Sequence, residues 1–211
     1  MPYYRRRRRY GYKKKVYGKR KFKAYFKRKV AKMRKIGLNF YKLRYVTTLD
    51  ADGSGIIRHR ISNTNLTAVY DGGGTVSDWT GVSSLFDQYR VFAVKVKFTP
   101  KYPNDPSTSN AFAPLYSFID YDSYALSPTV STAIEYENVK IKNLFRPFGL
   151  YYKIPKVMSA ASSSVQVNFG WMDVASPEDT GSIYVIGDGY SPSRQYGYLA
   201  ITYYVGAKNR R

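Results

Sequence analysis

From Leu38 onward the sequence alternates apolar and polar residues in short runs, and each run predicts a strand with one buried face. In "LNFYKLRYVTTL", Tyr41, Leu43 and Tyr45 fall on one face, with Lys42 and Arg44 on the other. "QYRVFAVKVKFTP" repeats the pattern more clearly: Phe92, Val94, Val96 and Phe98 share a face, and Lys95 and Lys97 oppose it. "VQVNFGW" sets Val165, Val167, Phe169 and Trp171 inward and Gln166 and Asn168 outward. "YLAITYYV" has almost no polar interruption and predicts a long strand, central or at an interface. Weaker strands are predicted at "IIRHRI", "PLYSFIDY", "NVKIKNLF", "LYYKIP" and "SIYVIG".

Turn-rich segments separate these runs: "DADGSG", "YDGGGTVSD", "KYPNDPSTSN", "SAASSS", "SPEDTG" and "GDGYSPSRQYG". Their Gly, Pro, Asp and Ser supply turn conformations. One short helix is predicted within "SDWTGVSSLFDQY", with Ser77 or Asp78 as its N-cap. Eight or more strands, long loops and little helix predict an all-β fold, a β-sandwich or jelly roll. Its length, 211 residues, suffices for a real core, and no internal repeat is present.

Before Leu38 the pattern is different. Residues 1–18 read as a disordered polycation. In residues 19–36, Phe22, Tyr25, Phe26, Val30, Met33 and Ile36 recur at spacings of three and four. They form an apolar stripe on an otherwise basic helix. Like charges four apart make such a helix marginal in water, and a polyanion or a membrane surface would induce it. The chain thus divides into a basic arm, 1–36, and a β domain, 37–211.

Charge sharpens this division. Of the 35 Lys and Arg, 20 lie in residues 1–44, which contain no acidic residue. The remaining 15 face all 14 acidic residues over 45–211, so the body is nearly neutral. The partner implied is a polyanion, bound through counterion release with little regard to sequence. The phosphate-contacting candidates are Arg5, Arg6, Arg7, Arg8, Arg9, Lys13, Lys14, Lys15, Lys19, Arg20, Lys21, Lys23, Lys27, Arg28, Lys29, Lys32, Arg34 and Lys35, continued onto the first strand by Lys42 and Arg44. Tyr10, Tyr12, Tyr17, Phe22, Tyr25 and Phe26 are candidates for stacking on bases. A double helix offers no exposed base faces, so the interleaved aromatics favour a single strand. The blander readings are a solubility tail and a nuclear import signal; import and packaging can share the same residues.

Other candidate chemistry is weak. The chain has no cysteine, which excludes disulfides, thiolate catalysis and Cys-based zinc sites. "DADGSGII" matches the start of a calcium loop, but position 12 is Ile61 instead of the bidentate Glu, so a hairpin turn is the better reading. Asp120 and Asp122 in "DYD", and Glu135 and Glu137 in "EYE", each pair two carboxylates on an extended segment. Either pair could hold a cation or act as acid and base; solvation, or pairing with basic groups such as Lys140 and Lys142 within or between subunits, is favoured. His59, the single histidine, cannot build an ordinary catalytic zinc site, and no G-x-S-x-G elbow accompanies it. "DGGGTVS" lacks the G-K-[ST] of a P-loop. No enzyme, metal or cofactor is expected. The basic start has no apolar h-region after it, and no window approaches 18 apolar residues, so neither a secretory signal nor a membrane-spanning helix is expected.

The Arg-rich start, the segment "SSLFDQYRVFAVKVKFTP" with its V-K-V-K-F-x-P strand, and the order of strands together resemble capsid proteins of circular Rep-encoding single-stranded DNA viruses, the circovirus-like group. The resemblance spans most of the chain. The arm departs from it in holding 11 Lys beside 9 Arg over residues 1–44, where circovirus arms are dominated by Arg. The resemblance implies a single eight-stranded jelly roll with strands B to I in two facing sheets. On that basis B falls near 38–49, C near 88–99, D near 114–121, E near 138–145, F near 150–157, G near 165–171, H near 182–187 and I near 196–207. It further implies sixty copies in a T=1 shell, circular single-stranded DNA packaged by inward arms (RNA on heterologous expression), host import receptors, and a cell-surface receptor that the sequence does not identify. The expected locations are the virion and, during assembly, the host nucleus. The competing readings are a cellular single-strand-binding module and a membrane-active basic protein.

Overall fold

The computed structural model describes residues 37–70, 73–101, 113–121, 128–155, 158–159, 166–167 and 170–210. From Phe40 on they belong to the second of two units into which the chain divides, Met1–Asn39 and Phe40–Arg211. In that second unit two sheets enclose one core. The first sheet contains β1 (Asn39–Asp50), β3 (Phe86–Pro100), β6 (Phe148–Lys153) and β11 (Gln195–Arg210) in the order β1-β11-β3-β6. A short strand, β9 (Met172–Asp173), pairs with β3 off this path. The second sheet contains β2 (Ile57–Ser62), β4 (Leu115–Asp120), β5 (Lys140–Lys142) and β10 (Ser182–Gly187) in the order β2-β10-β4-β5. A separate ribbon joins β7 (Met158–Ser159) to β8 (Gln166–Val167). The chain repeatedly crosses from one sheet to the other, which is how a jelly roll winds.

This order corrects the strand letters. Positions B, H and I are taken by β1, β10 and β11 as expected. Position C belongs to β2, not to the 88–99 segment, so β3, β4, β5 and β6 become D, E, F and G. The inward triad of β2 is Ile57, His59 and Ile61, and a buried histidine at its centre disguises the alternation. "VQVNFGW" supplies no sandwich strand: Gln166 and Val167 pair outside both sheets, Trp171 is half-exposed, and Val165 and Phe169 lie outside the described residues.

Alternation governs the first sheet. Leu43, Val94, Val96, Phe98, Leu150, Leu199, Ile201 and Tyr203 all point into the core. The register of β3 with β11 breaks between Tyr204 and Val205, where Phe92 is passed over. This bulge overturns one expectation. Phe92 does not share the face of Val94, Val96 and Phe98; its ring lies 5.6 Å from that of Phe40, outside the core cluster. A single extra residue reverses the facing of everything before it.

Tyrosines bolt the sheets together. Tyr203 of β11 donates its hydroxyl to the Ser62 carbonyl at 2.8 Å, and Tyr89 of β3 donates to the Thr64 carbonyl at 2.9 Å. Both phenols are fully buried, so each needs such an acceptor. Burial raises the pKa of Tyr203, Tyr89 and Tyr190 well above the usual value. The polar groups at this end continue through Ser62, which donates to Asp179, and Thr64, which donates to the Glu178 carbonyl at 2.8 Å.

The "DADGSG" turn is real but is no hairpin, because β1 and β2 lie in different sheets. Asp52 Oδ1 accepts from the amides of Ser54 (2.8 Å) and Ile56 (2.9 Å), and these bonds hold its carboxyl below the usual range. Gly55 adopts φ +74°, and a Cβ there would collide with the Tyr190 carbonyl oxygen. The expected helix is α1 (Trp79–Ser83); Asp78 occupies the N-cap position without a side-chain cap bond. A second helix, α2 (Val130–Glu135), was not anticipated. Thr129 caps it, accepting from the Thr132 amide at 3.3 Å. Glu135 therefore ends a helix, and "EYE" is not the extended segment expected.

Candidate nucleic-acid interface

The arm candidates, from Arg5 to Lys35 with Tyr10, Tyr12, Tyr17, Phe22, Tyr25 and Phe26, lie outside the described residues. Lys42 and Arg44 lie within them, exposed on β1 and facing away from the core. The other strands of the first sheet add to the same face what the sequence reading left unassembled. On β3, Lys95 and Lys97 are exposed opposite buried Val94, Val96 and Phe98. On β6, Tyr151 and Lys153 are exposed opposite buried Leu150 and Tyr152. On β11, Tyr198, Ala200, Thr202 and Tyr204 alternate with buried Leu199, Ile201 and Tyr203.

Strand registers tie these side chains into rows. Tyr204, Ala93 and Lys153 are successive neighbours across β11, β3 and β6; so are Thr202, Lys95 and Tyr151, and so are Ala200, Lys97 and Gly149. Lys42 Nζ lies 5.7 Å from the centroid of the Tyr204 ring, which puts β1 on the same face. Tyr204 in turn meets Tyr151 edge-on at 6.2 Å. At the bulge, Arg90 stacks its guanidinium 5.0 Å from the centroid of Phe92, and burial lowers its pKa without taking it out of the cationic range. Residues 40–46, 93–99, 149–153 and 198–204 contain no Asp or Glu at all. A nearly neutral body thus concentrates positive charge and aromatic rings on one sheet face. What the sequence lacked was the pairing: Lys95 and Lys153 are brought together by the direct pairing of β3 with β6, and Lys42 joins them across β11.

Asp120 Oδ2 accepts from the Tyr136 hydroxyl at 2.7 Å, while Asp122 lies outside the described residues. Lys140 Nζ sits 4.1 Å from the centroid of Tyr152. His59 is buried, stacks on Tyr70 at 5.0 Å, and accepts from the Asp50 amide at Nε2 (3.4 Å). Among the described residues no group of three or more His, Cys, Asp or Glu is placed to hold a metal.

No protein-family model matches the chain, and no curated protein sequence matches it. Solved structures do. The chain is similar to the giant freshwater prawn Macrobrachium rosenbergii nodavirus in a semi-empty virus-like particle: 14% identity over 82% of this chain and 95% of that one, TM-score 0.52. It is similar to cucumber necrosis virus at 16% identity, covering 83% of this chain but only 57% of that one, TM-score 0.57. It is also similar to the BFDV capsid protein in its 60-mer: 12% identity, 82% and 94% coverage, TM-score 0.50. At such identities the likeness is one of fold: the body is folded as viral capsid subunits are.

Proposed function

We propose that this chain is the subunit of a viral capsid, assembling with copies of itself into a closed shell around a single-stranded DNA genome. The observation that carries the reading is the joining of two parts. A nearly neutral body with a capsid fold follows a 36-residue segment holding 18 Lys and Arg and no acid. A neutral body can pack against copies of itself without strong repulsion, whereas the arm needs an enclosed polyanion. The similar BFDV chain forms a 60-mer, which supports a shell of sixty copies here. The circovirus-like motif of residues 83–100 and the aromatics of the arm favour circular single-stranded DNA over a duplex. The role is structural and not catalytic. Before assembly the same arm serves as the import signal that brings the subunit to the nucleus.

Electron microscopy of the purified full-length chain tests the reading. Uniform round particles are expected. Only small soluble species, with and without single-stranded DNA, would refute it. Residues 1–36 fused to a fluorescent reporter test import; a reporter left in the cytoplasm removes that part alone.

A further inference from the structure

We infer that the outward face of the first sheet is itself a binding surface for unpaired nucleic-acid bases, acting beside the arm. The inference rests on the nucleic-acid reading above and assigns part of that binding to the folded body. Its first support is relief. Ala200 and Gly149 make a low floor on either side of Lys97, in one row across three strands, and a Cβ on Gly149 would meet nothing within 4 Å. Tyr151 and Tyr198 rise around that floor with about half of their surface open, 52% and 45%. A planar base can lie on the floor against either ring.

The second support is charge. Lys95 and Lys97 project from the floor two residues apart, about 6.8 Å by antiparallel strand geometry, which suits successive phosphates of an extended strand. Lys42 and Lys153 flank the tyrosines, and no carboxylate in these segments competes for them. A second copy docking by the same face would set lysine against lysine. A duplex would satisfy the lysines but leave the exposed rings nothing to stack on. Only an unpaired strand uses both sets of groups at once.

Photocrosslinking of the full-length chain to a single-stranded oligonucleotide carrying 5-iodouracil, read by peptide mass spectrometry, tests this directly. Adducts at Tyr151, Tyr198 or Tyr204 are expected; adducts confined to residues 1–36 overturn the inference. In parallel, Tyr151→Leu combined with Tyr198→Leu should weaken binding of an oligothymidine about tenfold and leave binding of a DNA duplex unchanged. Tyr151→Phe with Tyr198→Phe, which keeps the rings, should restore the oligothymidine affinity. Equal loss on both DNAs, or no loss, overturns the inference. So does displacement of the oligothymidine by anionic phospholipid vesicles whose binding needs the same two tyrosines. Lys95→Ala with Lys97→Ala should lower the dependence of log affinity on log salt by about 0.7 per lysine for a single strand. The shell reading is scored separately on the same samples by microscopy. Particles without body adducts refute only the stacking surface; body adducts without particles refute only the shell.

Discussion

Tyr203 shows how one side chain serves both packing and polarity. Its ring fills the core between the sheets and its hydroxyl satisfies the Ser62 carbonyl. Tyr203→Phe keeps the ring and leaves that buried carbonyl short of a donor, so a loss of about 1–2 kcal/mol is expected, measured by urea unfolding. Tyr89, Tyr190 and Tyr203 also set an alkaline limit. Their pKa values are raised by burial in the folded chain, while in the unfolded chain they return to about 10. Above that pH the unfolded state loses protons that the folded state keeps, so stability falls as pH rises. Each phenol removes up to about 1.4 kcal/mol per pH unit. Tyrosine-to-phenylalanine variants at these positions should therefore show a flatter decline in melting temperature above pH 10. The sequence displayed 23 tyrosines without distinguishing these from Tyr151 and Tyr198, because alternation records which residues share a face and not which face is covered.

At the scale of elements, the sheet strands were legible, the short ones at "IIRHRI", "PLYSFIDY", "NVKIKNLF", "LYYKIP" and "SIYVIG" included, and the second helix was not. β1 and β3 announce themselves by alternation, and β11 by an apolar run long enough for a strand. α2 has six residues, too few for a period, and only the Thr129 cap marks it in the sequence. The bulge at Phe92 was invisible because the residue is apolar on either face; its facing is decided by pairing with β11. The corner between β1 and β2 depends on backbone conformation instead. Gly55→Ala would force a side chain into the left-handed region and against the Tyr190 carbonyl, with an expected cost of about 2–4 kcal/mol, read as a lower urea midpoint. Phe98→Ala on β3 empties a fully buried site stacked on Phe148 at 4.9 Å, and should cost about 3–5 kcal/mol.

At the scale of the whole molecule, charge separates two tasks. Removing residues 1–36 takes away 18 of the 35 basic residues and leaves the β body without the polycation. The truncated chain should keep the circular dichroism and cooperative unfolding of a β domain. Its purified assemblies should show a lower 260/280 nm absorbance ratio than those of the full chain. An unchanged ratio would remove the arm from genome packaging and leave the sheet face as the principal contact.

By itself the sequence determined that the body is built of strands with one buried face, an all-β fold, and that a polycation precedes it. Both are properties of contiguous residues: period-two burial is written along each strand, and charge adds along the chain. The tertiary structure alone decided which strand occupies which position, which side of β3 carries Phe92, and that Lys42, Lys95, Lys97, Tyr151, Lys153 and Tyr198 share one face. Those facts depend on hydrogen-bond register between strands far apart in sequence. Register is fixed by packing across the two sheets, and no local pattern can encode it.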